Sequence, residues 1–110
     1  MRIGHALRRA FDAVRRLEPV DDRQVERVEP LAAEIGSDFL VECDVGDDAA
    51  MDETFRRIAE RWGQLDFLVH AIGFSNKDEL DGRYIDTSAA NFQLTMNISV
   101  YSFTAVAKRA

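Results

Sequence analysis

Ile3, Leu7, Ala10, Phe11 and Val14 fall three and four residues apart, which predicts a helix over residues 3–17 with one apolar stripe, stopped by Pro19. Val25, Val28, Leu31, Ala32 and Ile35 repeat the pattern and predict a second helix over residues 22–35. Asp21 or Asp22 can cap its start, and Gly36 suits a left-handed turn after its end. Pro30 sits inside this stretch and removes a backbone donor, so the helix is expected either to kink there or to start afresh. The pattern then changes. Residues 39–45, Phe-Leu-Val-Glu-Cys-Asp-Val, are short and apolar, as a buried strand would be. Gly46-Asp47-Asp48 reads as a turn and N-cap for a helix over residues 49–62, with Met51, Phe55, Ile58, Ala59 and Trp62 inward and Gly63 ending it. Residues 65–71, Leu-Asp-Phe-Leu-Val-His-Ala, predict a second buried strand.

Two apolar strands around an amphipathic helix make a βαβ unit, whose crossover is right-handed and whose strands run parallel. Residues 72–86 are a polar loop, long for this position, and long loops there carry function. A last helix starts near Thr87 or Ser88, with Phe92, Met96, Ser99, Val100, Phe103, Val106 and Ala107 expected on one face. Its periodicity runs to Ala110 without a C-cap, the ending expected of a truncated chain. The fold class is therefore α/β, an incomplete Rossmann-like parallel sheet with flanking helices. At 110 residues the chain has room for one small domain.

Composition narrows the function. Hydrophobic residues make up 46% and charged residues 31%, the balance of a globular chain rather than a disordered one. No apolar run reaches the ~18 residues of a membrane span, and residues 1–16 hold no continuous apolar core of a secretory signal. The net charge of −6 argues against a nucleic-acid partner. Arg2, Arg8, Arg9, Arg15 and Arg16 stand against the single acid Asp12 at the start, which reads as the wet face of an ordinary helix. The lone Cys43 forbids an intrachain disulfide and favours a reducing, cytoplasmic setting.

In open parallel sheets, ligands bind beyond the carboxyl ends of strands. The first such end is Cys43-Asp44-Val45. A carboxylate there can accept a hydrogen bond from an exocyclic amine, and Val45 can pack on a ring; equally, Asp44 can simply cap the following helix. The second end is His70-Ala71-Ile72-Gly73-Phe74-Ser75, where small residues let a ligand approach the backbone, or where Gly73 only turns the chain. His70 reads as a hydrogen-bonded core residue, because no second catalytic group lies near it in sequence. Tyr101 and Lys108 lie seven residues apart, a spacing at which an ammonium can lower a phenol's pKa. The simpler reading, that both decorate the last helix, is preferred. No glycine-rich turn follows an apolar strand, no nucleophile elbow occurs, and no His or Cys grouping has metal-ligand spacing.

The stretch from Val28 to Tyr84 resembles the bacterial NADH-dependent enoyl-acyl-carrier-protein reductases, a divergent branch of the short-chain dehydrogenase/reductases. The most specific pieces are Cys43-Asp44-Val45, the run at 65–74, and Asp78-Glu79-Leu80-Asp81-Gly82-Arg83-Tyr84. Ala71-Ile72-Gly73 stands where ordinary superfamily members carry Asn-Ala-Gly. The resemblance covers residues 22–110, while residues 1–21 match poorly, so residues 1–110 are expected to be part of one dinucleotide-binding domain. It implies that Asp44 and Val45 hold the adenine of NADH. It implies that Ile72 and Gly73 line the cofactor near its ribose and nicotinamide, and that Phe74 and Ser75 edge the acyl pocket. Asn97 would support a water network. The implied reaction is hydride transfer from NADH to a trans-2-enoyl thioester on acyl carrier protein, a step of fatty-acid biosynthesis, in a homotetramer. The family's catalytic Tyr and Lys would lie beyond residue 110, so no catalytic residue is assigned here, and the 110 residues alone are expected to have no turnover. A non-catalytic fragment, or a module joining subunits through its last helix, is the alternative.

Overall fold

The computed structural model describes residues 23–110, with side-chain surroundings from residue 28 onward. The helix expected over residues 3–17 lies outside the described residues. The described elements are α1 (Arg23–Glu34), α2 (Asp48–Trp62), α3 (Ala89–Met96) and α4 (Ser102–Arg109), with short 3-10 turns at Lys77–Glu79 and Tyr84–Asp86. A π-turn at Asn97–Tyr101 joins α3 to α4.

Helix α1 runs through Pro30 without a break. Of its expected apolar stripe Ala32 is buried, whereas Leu31 and Ile35 stay exposed. Gly36 follows at φ 71°, the left-handed turn expected of it. Helix α2 begins as its sequence dictates. The Asp47 side chain accepts from the Ala49 N–H, and Asp48 adds negative charge to the first turn. Gly63, at φ 78°, closes the far end by donating its N–H to Ala59 C=O. The buried residues of α2 are Met51, Thr54 and Ile58. Thr54 meets the cost of burying a hydroxyl by donating to Ala50 C=O at 2.8 Å.

The two expected strands differ from expectation in kind. Among the described residues no strand forms, and in residues 39–45 only Glu42 makes an isolated bridge. A strand is defined by a repeating ladder with a neighbour, and among the described residues neither segment has one. Their side-chain alternation is nonetheless that of strands. Val41, Cys43 and Val45 are buried while Glu42 and Asp44 are exposed. Leu68, His70, Ile72 and Phe74 are half-buried while Phe67, Val69, Ala71 and Gly73 are exposed. Period-two burial records one covered face.

That covered face meets the helices. Cys43, Val45, Met51, Ile98, Ala105 and Val106 form one buried cluster, and Phe55, Leu68, Ile72 and Phe74 pack against it. The core thus joins both segments to α2, the π-turn and α4. The first segment is also held at its start, where the Phe39 and Trp62 rings lie 4.9 Å apart and Arg61 pairs with Asp38 at 2.9 Å.

The last helix corrects the sequence pattern. The stripe expected inside includes Phe92, Met96, Val100 and Phe103, and all four are exposed. Of the expected stripe Val106 is buried as predicted, and the rest of the buried line is Asn91, Ile98, Ser102 and Ala105. Two apolar stripes run along this helix, and periodicity alone does not say which one meets the core.

Candidate functional site

The two segment ends converge on the same helix. Val45 belongs to the buried cluster with Ile98, and Ile72 and Phe74 pack against that cluster. At the first end, Asp44 is exposed and its Oδ1 accepts from the Gly46 N–H at 2.8 Å in a local turn, whereas the cap of the following helix is Asp47, so Asp44 does not play the capping part weighed for it. Val45 turns its side chain into the core, 4% exposed.

At the second end, Gly73 is exposed, and a Cβ placed there would meet only Ser99 Oγ, at 3.9 Å. Small, accessible residues at Ala71 and Gly73 leave the backbone open to close approach by a ligand. Beyond Gly73 the backbone hangs from the helix by side chains. Phe74 N–H donates to Ser99 Oγ at 3.0 Å, and that hydroxyl donates to Phe74 C=O at 3.2 Å. Asn76 N–H donates to Asn91 Oδ1 at 2.8 Å. Asn91 Nδ2 donates to Ser75 Oγ at 3.2 Å and to Thr87 Oγ1 at 3.1 Å, and Thr95 Oγ1 donates to Ser75 Oγ at 3.0 Å. Ser75 is therefore tied into this network, with Asn91, at 6% exposure, at its centre.

The apolar periodicity gave no sign of Asn91, Thr95 or Ser102 and put Ser99 on the expected core face; the signal that could have found them is a polar row at spacings of four, four and three. Ser102 is fully buried, donates to Ile98 C=O at 2.5 Å, and lies 2.7 Å from His70 Nε2. Because the single hydroxyl proton goes to the carbonyl, Nε2 carries a proton toward Ser102. Phe103 adds an edge-on ring contact at 5.6 Å. His70 is thus a structural residue in this fold, as its sequence setting suggested. Asn97 is exposed at the start of the π-turn, where its C=O accepts from Ser102 N–H. Tyr101 is 62% exposed, and Lys108 is exposed in the last turn of α4.

The loop following this end is closed by Glu79. Its carboxylate accepts from Ser88 N–H at 2.7 Å, Ser88 Oγ at 2.8 Å and Thr87 Oγ1 at 3.2 Å. The Ser88 backbone N–H, foremost, holds the Glu79 carboxyl below the usual range. Ser88 in turn caps α3 by accepting from Asn91 N–H at 3.1 Å. Burial pushes the Cys43 thiol up, opposed by a hydrogen bond with Thr54. Arg109 ties α4 back to α2 through Asp48 at 2.9 Å and Asp52 at 2.6 Å.

The solved structures this chain resembles are Rossmann-fold proteins of the short-chain dehydrogenase/reductase type. Residues 14–110 match the family described as Enoyl-(Acyl carrier protein) reductase, and the chain belongs to that family. It is 60% identical over 89 residues to the enoyl-[acyl-carrier-protein] reductase [NADH] 1 of Rhizobium meliloti, a match covering 81% of this chain and 33% of that protein. The crystal structure of FabI from Candidatus Liberibacter asiaticus superposes with a TM-score of 0.81 at 41% identity, covering 98% of this chain and 42% of that one. The Anaplasma phagocytophilum reductase, crystallised in complex with NAD, gives a TM-score of 0.76 at 43% identity over 96% of this chain and 41% of that one. The chain spans about a third of the length of the curated relatives it matches.

Proposed function

We propose that this chain is the adenine-side and part of the nicotinamide-side wall of an NADH-dependent enoyl-acyl-carrier-protein reductase of fatty-acid biosynthesis, a cytoplasmic enzyme. The observation that carries this reading is the shared core: Val45 from one segment end lies in the same buried cluster as Ile98, and Ile72 and Phe74 from the other pack against that cluster. In the intact sheet the two segments would be parallel neighbours, and all 110 residues would belong to one dinucleotide-binding domain.

Asp44 and Val45 would bound the adenine, with the exposed carboxylate turned to its amine and the 44–46 backbone alongside. Ile72 and Gly73 would line the ribose and nicotinamide; the open space in front of Gly73 fits a flat group set against backbone. Phe74 and Ser75 would edge the acyl pocket, and Asn97 would hold water near the reacting end. When bound, NADH supplies a hydride to the β-carbon of a trans-2-enoyl thioester carried by acyl carrier protein. What this chain contributes is binding and orientation, and we assign no proton transfer to Tyr101 or Lys108.

The test is NMR titration of the purified chain with NADH. Saturable shifts at Asp44–Val45 and Ile72–Gly73, with no NADH consumption above blank when an enoyl thioester is added, are the expected result. Shifts confined to other residues, or none, would overturn the assignment. A second reading is favoured by the exposed Phe92, Met96, Val100 and Phe103, which would let the last helix join subunits in a homotetramer. A sedimentation profile that stays monomeric at high concentration would remove it.

A further inference from the structure

We infer that Asn91 and Ser99 are positioning residues that fix the backbone of residues 74–76, and through it the geometry of the proposed cofactor and acyl walls. The inference deepens the reading above and rests on it.

The segment past Ile72 lacks a strand neighbour among the described residues, so its backbone polar groups need other partners. Three of them find those partners on the last helix. Ser99 takes both the N–H and the C=O of Phe74, and Asn91 Oδ1 takes the N–H of Asn76. Two helix side chains thus hold this backbone from the helix side. The amide orientation of Asn91 follows from this: a backbone N–H can only donate, so the atom facing it is the oxygen. With that end fixed, the NH2 end faces Ser75 and Thr87, both able to accept. Every polar atom of this buried side chain has a partner, and a fully satisfied buried network specifies one arrangement of what it holds.

The network also links the wall to the loop. Asn91 reaches Thr87, and Thr87 and Ser88 are both held by Glu79. Residues 74–76 and 79–88 are therefore anchored to the same turn of α3. A dinucleotide or acyl chain lying against Gly73–Ser75 would meet a surface whose shape is set from behind, by residues it never touches.

The experiment uses the whole chain and reads two quantities, amide hydrogen exchange at Phe74 and Asn76, and NADH affinity by titration. Asn91→Leu keeps the number of side-chain heavy atoms and removes the polar ones. It should speed exchange at Asn76 and weaken NADH binding, each by roughly tenfold, the factor for one lost hydrogen bond. Asn91→Asp keeps the acceptor and should restore most of the Asn76 protection. Ser99→Ala should act in the same way at Phe74, and it carries the test if Asn91→Leu fails to fold. Unchanged protection at Asn76 in Asn91→Leu and at Phe74 in Ser99→Ala would overturn the latch. Freed amides with NADH affinity at the wild-type value would overturn its positioning role. Absence of NADH binding to the wild-type chain would instead overturn the dinucleotide reading on which the inference stands.

Discussion

His70 and Ser102 meet across the core at 2.7 Å, and the serine hydroxyl donates a hydrogen bond to Ile98 C=O. The pair fastens residues 65–71 to the last helix at the point where the π-turn gives way to α4. Ser102→Ala should cost about 1 kcal/mol, the net value of one such hydrogen bond. Urea melts of the two proteins measure it. Nitrogen chemical shifts of His70 should report the Nε2–H form in the wild type.

Ile98 belongs to the buried cluster, with 3% of its surface exposed. Ile98→Ala leaves a cavity under both segment ends and should destabilise the chain by about 2–5 kcal/mol. A shift in urea midpoint with unchanged slope would identify the loss as one of packing.

The Glu79 carboxyl lies below its usual range because Ser88 N–H and the Ser88 hydroxyl favour its charged form. A carboxyl whose folded value is depressed adds stability above its unfolded value. It loses that stability as pH falls through the folded one. The loop should therefore be fully closed at neutral pH and in mild acid, and should open only as pH falls below the ordinary glutamate range. Glu79→Gln should flatten this part of the pH profile, as read from Ser88 amide protection from neutral pH downward.

Arg109 is only 18% exposed at its side chain, but its partners Asp48 and Asp52 are 83% and 69% exposed. Pairs with such wet partners contribute about 0–1 kcal/mol each. Arg109→Gln should lower the melting temperature slightly, and the difference should shrink as salt is raised.

Cys43 is 2% exposed and its thiol is pushed up by burial. Thiol reagents attack the thiolate. Modification at mildly alkaline pH should accordingly be far slower than for a free thiol, and should become fast in denaturant.

Helix boundaries were readable because their chemistry is local. Asp47, Gly63 and Ser88 cap where their side chains or left-handed φ require. The fate of Phe92, Met96, Val100 and Phe103 was not readable, because two apolar stripes compete on one helix and tertiary packing chose between them. The two segments were readable as short apolar runs, and the structure shows their covered face as alternation, in Val41, Cys43 and Val45, but ladder pairing depends on neighbours distant in sequence. Of the candidate site, Gly73 and Asp44 stand exposed at the segment ends. Asn91 went unnoticed because a buried amide looks in sequence like any polar helix residue.

The π-turn at Asn97–Tyr101 has a consequence for how the last helix tolerates change in length. A π-turn holds more residues per turn than an α-helix, so the stretches before and after it are set at independent rotations. Ahead of it Asn91 is keyed to the loop, and after it Ser102, Ala105 and Val106 are keyed to the core. Removing one residue from this spacer would turn the trailing stretch by roughly 100°, given 3.6 residues per α-helical turn. The two halves could then no longer face their own partners together, whereas a deletion past α4's last core contact would leave both in phase.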